Sequence, residues 1–318
     1  MGARTGSAAW RVAALLTIVA GCGPQDDAGS SAGAVPEGRA LPVTFAADRI
    51  HLRLPLAVTG DTLTFYTDTG GGLFLLGEAA DRVGLGDSSA VRLSAVAADS
   101  AFPDPRGVPE GRVPVFRPQE APPFDVDGML GQAWFADRVW TFDYPRQTLV
   151  LHDEAAATGT AVPLAFQADS TGARTLSFPR IRVEIDGDSL DLLFDTGATV
   201  SLTDSAWAAL GAEGPRERGT SFITTSVLDR WLTRHPDWAW IPDGDRNVAG
   251  SRLVRVPVVR VAGFETGPVW FTERPDRNFR EYMAQFMDRP VDGALGGNAL
   301  RTFRVTVDYP GAHAFFAR

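Results

Sequence analysis

Three short motifs occur twice, in the same order, along this 318-residue chain. Asp68-Thr69-Gly70 returns as Asp195-Thr196-Gly197. Asp127-Gly128-Met129-Leu130-Gly131 returns as Asp292-Gly293-Ala294-Leu295-Gly296, and Asp143-Tyr144-Pro145 as Asp308-Tyr309-Pro310. The last two motifs stand 16 residues apart in both halves. At average composition a chance Asp-Thr-Gly turns up roughly once in several thousand positions. Two of them, each followed by the same pair of motifs at one spacing, mark an internal duplication. The units lie near 41–152 and 174–318, with 153–173 as an inter-lobe linker.

Each triplet closes a strand-like run, residues 63–67 in the first half and 190–194 in the second. Ile50, Leu52, Leu54 and Leu56 alternate with polar or small residues, as do Ile181, Val183 and Ile185, which is the period of a half-buried strand. Asp186-Gly187 is a hairpin turn signal. Short helices are predicted at 78–83, 133–137, 204–210 (capped by Thr203 or Asp204) and 298–302, and strands at 139–144, 148–151 and 303–309. Residues 97–125, rich in Pro and Gly, read as loops. With 33 Gly and 22 Pro, the whole favours turns and short strands over long helices. The expected fold is all-β dominated and bilobal, with short helices.

Two aspartates on tight turns form an acid–base pair if the lobes bring them face to face. Gly70 and Gly197 are expected to supply a positive φ and a close backbone approach at those turns. Two carboxylates held together cannot both ionise cheaply, so they share one proton and one pKa rises. Such a pair activates a water by general acid–base catalysis, with no metal or other cofactor. Other chemistries find little support. His51, His152, His235 and His313 are scattered without metal-ligand spacing. Ser201 and Ser205 lack a nucleophile-elbow context, and Gly70-Gly71-Gly72 opens no phosphate-binding pattern.

On these motifs the chain resembles the retroviral-type (retropepsin-like) aspartic peptidases, duplicated within one chain. The segment Leu192-Leu193-Phe194-Asp195-Thr196-Gly197-Ala198-Thr199 is close to the signature of that family, and Leu295-Gly296-Gly297-Asn298-Ala299-Leu300 is similar to its later segment. The resemblance implies an acid-protease-like fold of two lobes related by a pseudo-two-fold axis. It implies an aspartic endopeptidase with Asp68 and Asp195 as catalytic dyad. Thr69 and Thr196 would bond across the lobe junction beside Gly70 and Gly197, and Leu130 and Leu295 would pack beneath. The first turn departs from the pattern: Thr67 replaces an apolar residue and two further glycines follow Gly70. Gly71 and Ala198 lack the hydroxyl that pepsin-like enzymes place there, which implies a pH optimum milder than pepsin's. A catalytically inactive lipoprotein of the same fold that binds peptides or a protein partner is the alternative. A homodimer pairing equivalent lobes is a third reading, with a monomeric internal pseudo-dimer preferred.

From triplet to Asp-Gly motif takes 59 residues in the first half and 97 in the second. The extra length falls in 215–250, which carries Trp231, Trp238, Trp240 and His235 and reads either as a lid or as a packed elaboration. Flap candidates are 95–115 and 218–262.

The N-terminus carries an address. Arg4 and Arg11 flank the start of an apolar run, residues 12–20, of signal-peptide length. It ends in Val19-Ala20-Gly21-Cys22, which looks like a bacterial lipobox and makes Cys22, the one cysteine, the expected lipid-attachment site. Residues 1–21 would be the lipoprotein signal peptide, and the polar stretch 22–40 a flexible tether. Gly23 leans towards the outer membrane of a bacterial cell envelope, with the protein on its periplasmic face or surface. Residues 1–21 hold two Arg and no acid, so the formal charge moves from −9 to 28 − 39 = −11 on their removal. That balance argues against nucleic acid as a partner; a peptide or unfolded protein is the substrate that the resemblance implies.

Overall fold

The computed structural model describes residues 38–118, 125–154 and 158–318. The signal peptide, Cys22 and most of the tether expected at 22–40 lie outside the described residues. Among the described residues no helix is long and apolar enough to cross a membrane.

Each half builds its own sheet around its triplet. In the first, strand Thr62–Thr67 pairs antiparallel with Arg49–Pro55 and parallel with Gly128–Leu130, inside a seven-stranded sheet. In the second, Asp188–Asp195 pairs antiparallel with Arg180–Ile185 and parallel with Gly293–Gly296, inside a nine-stranded sheet. The register repeats as well. The residue before each aspartate faces the leucine of the later motif, Thr67 opposite Leu130 and Phe194 opposite Leu295. Strand alternation explains the burial: Ile50, Leu52, Leu54, Leu63 and Phe65 are fully buried, as are Ile181, Leu192 and Phe194.

A third, six-stranded sheet joins the halves. The hairpin Val139–Asp143/Thr148–His152 of the first half meets the hairpin Arg304–Asp308/His313–Ala317 of the second, through antiparallel pairing of Val139–Asp143 with Arg304–Asp308. Thr141 faces Thr306 at the middle of that pairing, and their hydroxyls lie 2.7 Å apart. The two are 165 positions apart, the separation that also divides Asp127 from Asp292 and Asp143 from Asp308. The pseudo-two-fold axis therefore passes between these two threonines. Trp134, Phe135, Trp140 and Phe142, all fully buried, stack edge-on and tilted against one another behind the sheet. Burying such aromatics contributes about 1.5–3 kcal/mol each. The fold is β-dominated and bilobal, two lobes arranged about that axis.

Some segments differ from the sequence reading. Strand Val113–Phe116, inside the stretch expected to be loops, joins the seven-stranded sheet beside Leu73–Leu76. Strand Thr160–Pro163, inside the expected linker, pairs with His313–Ala317 at the edge of the joining sheet. Arg39–Ala40, at the end of the expected tether, pairs with Thr148–His152 at the opposite edge. These strands are only two to four residues long, so period-2 patterning had little to reveal. The segment around 215–250 forms helix Thr225–Arg234, whose Val227, Leu228 and Trp231 are buried in the core. Asp204–Ala209 is helical and capped by the Thr203 hydroxyl, which accepts the Ala206 N–H at 3.2 Å.

Candidate active site

Both triplets sit where a strand leaves its sheet at the lobe junction, and each loop is fastened to the other. The Thr196 N–H donates to the Thr69 hydroxyl at 3.0 Å, and the Thr69 N–H donates to the Thr196 hydroxyl at 3.2 Å. The Thr69 hydroxyl donates to the Phe194 carbonyl at 2.7 Å. Both threonines are fully buried, so leaving either unpaired would cost about 1–3 kcal/mol. The interlocked loops turn Asp68 and Asp195 towards each other.

The glycines of the triplets measure how close that approach is. A methyl group at Gly197 would stand 2.1 Å from Asp68 Cγ, and one at Gly70 would stand 2.7 Å from Asp195 Cγ. Neither glycine has a positive φ, which corrects the expectation from sequence. What requires glycine here is the carboxyl group of the opposite lobe, which occupies the place of a side chain.

The two carboxyls lie close enough to bias each other's ionisation. Asp195 is buried at 7% exposure, whereas Asp68 is half-buried. Burial, followed by the charge of Asp68, pushes Asp195 well above the usual carboxylate range. Burial also raises Asp68, against Asp195 and the Gly70 and Gly197 N–H groups, which favour its ionised form. Gly70 donates to Asp68 Oδ1 at 2.8 Å and Gly197 to Asp195 Oδ1 at 3.0 Å. The pair holds one proton over a wide pH range, and Asp195 is the better place for it.

Two groups that sequence reasoning passed over, Tyr66 and Arg49, complete the site. The Tyr66 hydroxyl donates to the Gly197 carbonyl at 2.6 Å and lies 2.7 Å from the Thr199 hydroxyl. Burial, followed by the charge of Asp68, holds this phenol well above its ordinary pKa, so it stays a donor. Its counterpart in the second lobe, two residues before Asp195, is Leu193; laying one half over the other shows the asymmetry. Arg49, 5.8 Å from the Tyr66 ring centroid, reaches across the junction to Glu217. A methyl at Gly71 would stand 2.5 Å from Asp68 Oδ2, so the position after the first triplet has no room for a side chain. Leu130 and Leu295 are fully buried beneath the loops. Trp231 is fully buried in the lobe core, while Trp240 is 47% exposed.

No protein-family model matches the chain, and no curated protein matches it. Among solved structures it is similar to the aspartic proteinase from Irpex lacteus, at 12% sequence identity and a TM-score of 0.48, over 88% of this chain and 97% of that one.

Proposed function

We propose that this chain is an aspartic endopeptidase with Asp68 and Asp195 as its catalytic pair. The observation that carries the reading is the meeting of the two carboxyls at equivalent turns of the two lobes, each filling the side-chain space of the opposite triplet's glycine. Asp68 takes a proton from a water lying between the pair as the water attacks the scissile carbonyl. Asp195 donates its proton to the developing oxyanion. Collapse of the tetrahedral intermediate returns a proton to the leaving amine and breaks the C–N bond. No covalent intermediate forms. Thr69, Gly70, Thr196 and Gly197 keep the two loops in register. The protein acts as a monomer on peptides or unfolded proteins.

The same proposal places the protein on a membrane. Cys22 carries the lipid, and residues 22–40 tether the enzyme to the bacterial envelope. Fatty-acid labelling that persists in Cys22→Ser would remove that part alone.

Cleavage of a denatured protein, with and without pepstatin, tests the activity. Wild type cleaves, pepstatin inhibits, and Asp68→Asn and Asp195→Asn each lose at least about a thousandfold. Because Gly71 and Ala198 offer no hydroxyl to the pair, the pH–rate profile peaks at a milder pH than pepsin's. Cleavage unchanged by either substitution overturns the assignment.

A further inference from the structure

A cavity of about 660 Å³ opens between the lobes beside the carboxyl pair. Its lining includes Arg49, His51, Tyr66, Asp125 and Met129 from the first lobe and Glu217 from the second. Two contacts tie it to the candidate active site. Tyr66 forms part of the wall and bonds the Gly197 carbonyl. A point one methyl away from Gly71 lies 2.5 Å from Asp68 Oδ2 and 2.8 Å from Met129 Sδ, so the thioether in the wall flanks the carboxylate. The cavity therefore adjoins the place where a peptide bond would sit, and is more than roomy enough for a large side chain.

Its charges do not cancel. Arg49 is committed to Glu217 and leans on the Tyr66 ring. His51 stays neutral near pH 7, because burial and then the charge of Arg49 lower its pKa. Asp125 is exposed, acts electrostatically on His51, and has no ion pair among the described residues. One carboxylate thus remains uncompensated above a wall of phenol ring and thioether. That combination suits a long side chain with an apolar stem and a cationic end.

We infer that this cavity is a specificity pocket for a lysine or arginine side chain of a bound peptide, with the stem along Tyr66 and Met129 and the cation at Asp125. The inference rests on the proposed peptide-cleaving site, since it requires a peptide across the same cleft.

The test uses fluorescent decapeptide mixtures in which one position at a time is Lys, norleucine or Glu. Binding is measured to Asp195→Asn and to Asp195→Asn/Asp125→Asn, and cleavage is measured with the wild type. At one position, Lys binds about tenfold tighter than norleucine, and Glu weaker than both. In the double variant the Lys-to-norleucine ratio falls to about one, and Asp125→Lys favours Glu. Equal binding of Lys and norleucine at every position overturns the pocket, as does a Lys preference that survives Asp125→Asn. Cleavage without a Lys preference sinks the pocket and spares the peptidase. A Lys preference in binding with no cleavage by wild type does the reverse, and peptides that neither bind nor are cut sink both.

Discussion

The hydroxyl of Tyr66, in the first lobe, donates to the carbonyl of Gly197, in the second, at 2.6 Å. This bond has no counterpart across the pseudo-two-fold axis, where Leu193 holds the equivalent place. It positions the loop that carries Asp195 from the lobe that carries Asp68. Tyr66→Phe keeps the ring and removes the donor. Stability falls by about 1–3 kcal/mol in denaturant titration. On the proposed activity, kcat falls about tenfold with KM little changed, and the pH–rate profile shifts because the loop around Asp195 relaxes. An unchanged profile and kcat would make the bond purely structural.

Gly197 and Gly72 form a matched contrast. A methyl at Gly197 collides with the Asp68 carboxyl, whereas one at Gly72 meets nothing within 4 Å. Gly197→Ala therefore pushes the carboxyls apart, with a loss of about 1–3 kcal/mol in stability and of cleavage by at least about a hundredfold. Gly72→Ala stays close to wild type in both. Thermal melts and a peptide cleavage assay decide it.

The buried pair makes stability depend on pH in a definite direction. Burial, followed by Asp68, raises the folded pKa of Asp195 above the ordinary 3.8. A carboxyl with a raised folded pKa holds its proton more tightly in the native state. Its stabilising contribution is complete below the ordinary value and is lost as pH rises through the folded one. Asp195→Asn removes that loss, so the variant gains on wild type as pH climbs from about 4 towards 8. Parallel stability–pH curves for the two proteins would refute the shift.

Asp245 and Arg274 form an ion pair at 2.6 Å, with side-chain exposures of 1% and 11%, and the guanidinium lies 4.2 Å from the Phe222 ring centroid. The pair pins the second-lobe loop around residue 245 to the strand Val269–Arg274. Asp245→Ala strands a buried cation and lowers stability by about 3–5 kcal/mol. The double change Asp245→Leu with Arg274→Met recovers most of it. Chemical denaturation of the three variants gives the comparison.

What could be read in the sequence was what the duplication fixes. Asp68 and Asp195, their threonine partners, and Leu130 and Leu295 belong to motifs that recur in the same order, so one reading of the repeat paired them all. Interactions that break the repeat left no such trace. Tyr66 and Leu193 occupy equivalent positions but do different things, and nothing local tells a phenol that its acceptor is 131 residues away. The triplet glycines were expected for two reasons, a positive φ and a close approach, and only the crowding holds, because composition cannot separate the two. Strand Thr160–Pro163 has a single buried residue, Val162, so its place in the joining sheet depends on a partner at the far end of the chain.

The Thr141–Thr306 seam also limits how this molecule can move. Five residues of each half are matched across it, and the edge strand Thr160–Pro163, which follows the first half, is laced onto the last hairpin of the second. A jaw-like swing of one lobe away from the other would have to unzip that ladder. Guests must then enter and leave past the loops at the rim, while the floor of the cleft stays shut like the spine of a bound book.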